Sequence, residues 1–160
     1  MYRRILSATV LVAATATLFF APQRVAAQTK QAVPGSEPYS TLFNITITSG
    51  NGTIANSPNP VPANRRLVIE FVSIRVIVTP GEQPRFALQD SVNGASIPYI
   101  LPLALAATGS YGEEWRTTQL VKLYHDGNGV NGPGADCGRE QNSFSQLTCS
   151  IAISGYMIAK

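Results

Sequence analysis

From Tyr39 onward apolar and polar positions alternate. Tyr39, Thr41, Phe43, Ile45 and Ile47 fall on one side of the chain, and Asn44, Thr46 and Thr48 on the other. A period of two rich in β-branched residues predicts a half-buried strand. Residues 49–64 are broken by Asn and Pro steps and predict irregular chain. Arg66–Thr79 then carries Leu67, Val68, Ile69, Phe71, Val72, Ile74, Val76, Ile77 and Val78. So many β-branched residues disfavour a helix. Because both alternating sets are apolar, the pattern predicts a long strand covered on both sides, bent or bulged near Ser73 and ended by Pro80-Gly81.

Arg85–Val92 and Ser96–Leu103 flank Asn93-Gly94, the dipeptide preferred in two-residue hairpins. Pro98 and Pro102 predict that the second arm is an edge, since proline donates nothing to a ladder. Residues 104–112 are ambiguous, with Leu105-Ala106-Ala107 open to one helical turn. Trp115–Tyr124 predicts another strand, residues 125–142 a long glycine-rich loop, and Phe144–Ala159 a final strand with Leu147, Cys149, Ile151 and Ile153 on one face. Six or seven strands without a long helix predict an all-β, single-domain antiparallel β-sandwich, jelly-roll-like, with a barrel as the second architecture.

The N-terminus follows different rules. Arg3 and Arg4 precede an uncharged run from Ile5 to Ala21, then Pro22 and the small residues Val25-Ala26-Ala27. That is the layout of a secretory signal peptide over residues 1–27. The run is short for the roughly 20 residues of a membrane span, and Ser7, Thr9, Thr15 and Thr17 interrupt it. The expected organisation is therefore a cleaved signal peptide, a flexible lead-in over 28–38 and a β-sandwich domain over 39–160. Localisation is expected to be secreted or periplasmic, with membrane contact only transient, through the signal peptide.

Removing the signal peptide changes the charge. Of the 12 basic residues, Arg3, Arg4 and Arg24 lie within residues 1–27, whereas all nine acidic residues follow. Residues 28–160 are formally neutral. Nucleic acid is not expected as a partner, because that requires a concentrated basic patch, and Arg65, Arg66, Arg75 and Arg85 are spread along strand-like sequence.

The stretch Val61-Pro62-Ala63-Asn64-Arg65-Arg66-Leu67-Val68-Ile69-Glu70, together with Ser154-Gly155-Tyr156, resembles a group of uncharacterised secreted bacterial β-sandwich proteins. Those share the proline, the basic pair and the strand pattern; Asn64 stands where glycine is expected. The resemblance implies a bacterial secreted or envelope setting and a β-sandwich. It implies no active site and no established function.

Candidate chemistry is sparse. Cys137 and Cys149 are the only cysteines. In an exported chain, without Cys-X-X-Cys spacing, they predict one structural disulfide. His125, the single histidine, is expected at a turn or surface; no Gly-X-Ser-X-Gly elbow marks a nucleophile for it to activate. Glu113 and Glu114 are adjacent and point to opposite faces of a strand. Residues 126–136 place Asp and Asn oxygens on a glycine-rich backbone, which suits a hard cation, but Val130 and Asn131 break the EF-hand pattern. The loop is expected to be mobile and exposed, and no metal or cofactor is assigned. A ligand site reading sugar hydroxyls would draw on Trp115, Tyr124, Asp126, Asn128, Asn131 and Asp136, with Tyr99 and Tyr111 as further aromatics. The expected function is non-enzymatic binding or assembly. A carbohydrate-binding, lectin-like module and a fimbrial or surface-assembly subunit are the alternatives, with a hydrolase behind them. The matching partners are a glycan, a protein of the cell envelope, or further copies in a homo-oligomer.

Overall fold

A computed structural model describes residues 33–110, 112–143 and 145–160, residues 141–143 by their backbone alone. The expected signal peptide and residues 28–32 of the lead-in lie outside the described residues. The rest forms nine strands: β1 (Glu37–Ile47), β2 (Gly50–Asn56), β3 (Arg65–Val78), β4 (Pro84–Val92), β5 (Ala95–Ile100), β6 (Ala104–Gly109), β7 (Gly112–Asp126), β8 (Gly134–Ser143) and β9 (Leu147–Ala159). No helix occurs among the described residues.

The pairing is nested. β1 pairs with β9, β2 with β8, β3 with β7 and β4 with β5, all antiparallel. The pairs β3–β9 and β4–β8 join these ribbons side by side into two sheets, β1-β9-β3-β7 and β2-β8-β4-β5. Eight strands wound in this order are a jelly roll. β6 is an addition, paired to the free side of β7. One parallel bridge, between Ser91 and His125, connects the sheets. Between them lie Phe43, Ile45, Leu67, Ile69, Val72, Ile74, Phe86, Leu88, Ile151 and Ile153, all buried.

The alternation in β1 sets its burial: Tyr39, Thr41, Phe43, Ile45 and Ile47 all face inward. The strand starts at Glu37, two residues inside the expected lead-in. Asn93 and Gly94 take φ of 53° and 80°, which fits a primed hairpin turn. β5 pairs only with β4, so Pro98 sits at an edge as expected, and Pro102 follows the end of the strand.

Four expectations are corrected. Residues 49–64 contain β2, whose Gly-Asn-Gly start and exposed side chains give no periodic signal. The irregularity in β3 falls at Glu70, not Ser73: the registers with both neighbours shift between Ile69 and Phe71. A bulge moves a strand's inward phase by one residue, so inward positions pass from Leu67 and Ile69 to Val72, Ile74, Val76 and Val78. This phase change, together with the burial of Val68 on the other side, accounts for the apolar run. Residues 104–109 form a strand, not a helical turn. Finally, the 125–142 loop shrinks to residues 127–133, because β8 occupies much of it.

That short loop is packed against residues 57–65. Gly127 N donates to Arg65 O, Gly129 N to Val61 O, Val61 N to Asn131 O, and Ser57 N to Pro133 O, all within 3.1 Å. A Cβ on Gly127 would lie 2.0 Å from the Pro62 carbonyl oxygen, and one on Gly132 2.3 Å from that of Asn59. These glycines permit close backbone approach; only residues 128–130 are exposed.

Candidate functional site

Cys137 on β8 and Cys149 on β9 form the expected disulfide, with Cα atoms 6.5 Å apart and both residues fully buried. It crosses from one sheet to the other rather than tethering a loop. Nearby, at the end where β3 passes into β4, Arg139 is buried with its Nη1 donating to Glu82 Oε1 (2.9 Å), Oε2 (3.0 Å) and Ser145 Oγ (2.6 Å). Its Nη2 donates to the Ser145 carbonyl at 2.7 Å.

The opposite end carries the richest polar cluster. Arg66 and Asp126 face each other across β3 and β7. Arg66 Nε donates to Asp126 Oδ1 at 2.6 Å and Nη2 to Oδ2 at 3.1 Å. The Asn93 amide donates to Oδ2 at 3.0 Å, and Lys160 Nζ lies 3.4 Å from it. The Arg66 contact, above all, holds Asp126 well below the usual carboxylate range. His125 points the other way, inward, opposite Leu67. It is buried, and neither ring nitrogen has a partner. Asp90 Oδ2 accepts from the Tyr124 amide at 3.2 Å. Burial lowers the pKa of His125 and raises that of Asp90. The surface or turn histidine expected from sequence is therefore a core residue. An imidazole closed off from solvent and bonded to no hydroxyl has no nucleophile in position to activate.

The six residues of the predicted ligand site do not converge. Trp115 lies on the inward face of β7 opposite Val76 and packs against the core. Tyr124 is on the outward face of the same strand, nine residues away, or about 30 Å at 3.3 Å per residue. Asp126 is tied to Arg66. The Asn128 side-chain oxygen accepts from the amides of Val130 and Asn131, both at 2.8 Å, so it shapes its own loop. Asn131 is committed to Val61 through its carbonyl. Asp136 projects from the other sheet. Tyr111 lies outside the described residues. The structure brings together only Tyr124 and Asp126, alongside Arg66, Asn93, Asp90 and Lys160, which the sequence reading passed over. Among the described residues no group of three or more His, Cys, Asp or Glu is placed to hold a metal ion.

The other notable feature is apolar and outward. Every residue of β5 and β6 is exposed. Ile97 is 59% exposed, Ile100 75% and Leu105 50%; Ile54 on β2 is 63% exposed. The outer face of the β1-β9-β3-β7 sheet shows Leu42 and Leu120. On it Arg75 and Arg116 both bind Glu114, whose pKa they lower to about 2.

No family model and no curated protein matches the chain. Among solved structures it is similar to a chain of the cyanophage Pam1 capsid asymmetric unit, at 15% identity over 86% of this chain and 99% of that one, with a TM-score of 0.46. It is also similar to a chain of the extra small virus particle of the giant freshwater prawn Macrobrachium rosenbergii, at 16% identity over 83% and 86% of the two chains, with a TM-score of 0.32. The nested strand pairing, not this likeness, identifies the fold of this chain as a jelly roll.

Proposed function

We propose that this chain is an exported, non-enzymatic jelly-roll subunit that acts by assembling with copies of itself. The observation that carries this reading is the β5–β6 segment. Its strands lie on the edges of the two sheets and present Ile97, Tyr99, Ile100 and Leu105 to solvent. Ile97 and Tyr99 are neighbours on one side of β5 and Ile100 stands on the other, and contiguous exposed apolar side chains mark an interaction surface. Formal neutrality of residues 28–160 leaves little net repulsion between copies. Export is supported by the uncharged run after Arg3-Arg4 and by a disulfide, a bond that persists in oxidising compartments.

The test is sedimentation velocity of residues 28–160 over a wide concentration range. The expected result is a sedimentation coefficient that rises with concentration and falls back in Ile97→Ser/Ile100→Ser. A single monomeric species throughout refutes the proposal.

A further inference from the structure

We infer, resting on the self-assembly reading above, that the second copy seats on the outer face of the β2-β8-β4-β5 sheet, about a two-fold axis that sets Arg85 of each copy against Asp136 of the other. The registers align Ile54, Asp136, Ala87 and Ile100 as one row across the four strands. All four point outward, since Cys137, Phe86 and Leu88 in the adjacent positions are buried. Two exposed isoleucines therefore flank a floor of small residues.

Glycine makes that floor flat. A Cβ on Gly138 would lie 2.8 Å from Arg85 Nε, and one on Gly52 3.3 Å from Arg85 Nη2. The Arg85 side chain lies across these glycines instead of standing away from the sheet. A shallow groove of about 190 Å³ results, lined by Arg85, Phe86, Ala87, Pro98, Ile100 and Asp136.

The charges on this face favour a copy of the same chain as occupant. Neither Arg85 nor Asp136 makes an ion pair or side-chain hydrogen bond among the described residues. Arg85 and Asp136, side by side and both unsatisfied, form a self-complementary pair, which an isologous interface requires: residue i meets j of the partner and j meets i; Glu140, exposed on the same side of β8, adds a second anion to this face. On the opposite outer face Glu114 already takes Arg75 and Arg116. Four strands about 4.8 Å apart and about six residues long span roughly 19 by 20 Å. That is about half the roughly 800 Å² that each partner gives to a standard interface, so the contact is a reversible one.

The experiment uses charge reversal. Arg85→Glu alone and Asp136→Lys alone each place like charges in apposition, and each is expected to weaken self-association about tenfold or more. Mixing the two variants restores opposite charges at both contacts of a heterodimer, so the mixture associates as the wild type does. Thermal midpoints near the wild-type value confirm that these outward substitutions leave the fold intact, and Ile100→Ser tests the apolar flank independently. Wild-type association that neither charge variant weakens, or weakening that the mixture does not repair, overturns this inference while self-assembly stands. A wild type that stays monomeric overturns both.

Discussion

Cys137 and Cys149 link the two sheets of the jelly roll at a point where both side chains are completely buried. The bond joins residues 12 apart in sequence. Loop-closure entropy for that length is about 3 kcal/mol. Cys137→Ala/Cys149→Ala is expected to lose about that much stability in urea unfolding, and thiol titration of the unfolded, unreduced wild type to find no free thiol.

Arg139 and Glu82 are a buried pair whose partners cannot be removed singly without cost. Their bonds bring together the turn before β4, the end of β8 and Ser145. Removing one partner of a buried pair costs about 3–5 kcal/mol, because the other charge is left without compensation. Glu82→Ala is expected in that range by chemical denaturation, and Glu82→Leu/Arg139→Met is expected to be less destabilised than Glu82→Ala.

The glycines of the 127–133 loop divide by the space around them. Gly127→Ala and Gly132→Ala drive a Cβ into the carbonyl oxygens of Pro62 and Asn59, and each is expected to destabilise by about 1–3 kcal/mol or more. Gly109 has open space and an ordinary φ, so Gly109→Ala is the neutral control. Equal thermal midpoints for all three variants contradict the packed loop.

Stability is expected to depend on His125 below about pH 6.5, the ordinary histidine value. Burial lowers its native pKa, so the unfolded chain binds the proton first and stability falls as pH drops through that value. Asp126, lowered chiefly by Arg66, adds a second loss as pH falls below about 3.9. Asp90, raised by burial, acts with the opposite sign between about 3.9 and its native value. The difference in denaturant midpoint between wild type and His125→Gln is therefore expected to change across pH 6.5. A constant difference contradicts the buried neutral imidazole.

The parts of the fold legible in the sequence are those written locally. Alternation in residues 39–47, the Asn93-Gly94 turn, the edge proline of β5 and the pairing of the only two cysteines each follow from neighbouring residues. The features that escaped depend on register. Arg66 and Asp126 are 60 residues apart and meet only because β3 and β7 pair in one alignment. The β3 bulge hid a phase change of the inner face, although Val68 on the outer side is buried as well. β8 looked like a loop because its glycines, Gly134 and Gly138, serve close contacts to Gln89 and Arg85 rather than turns. Arg139 sits in that same polar stretch, where nothing local announces a buried guanidinium. The residues of the predicted ligand site are spread apart because proximity in sequence, as between Asn131 and Asp136, is divided between a packed loop and a separate sheet.

Side-chain footprinting with hydroxyl radicals over a concentration series tests the self-assembly account most directly. Ile54 and Ile100 are exposed on one outer face, Leu42 and Leu120 on the other. The account predicts that oxidation of Ile54 and Ile100 falls as concentration rises, while Leu42 and Leu120 keep their rates. Unchanged oxidation at all four positions, or protection of Leu42 and Leu120 alone, contradicts it.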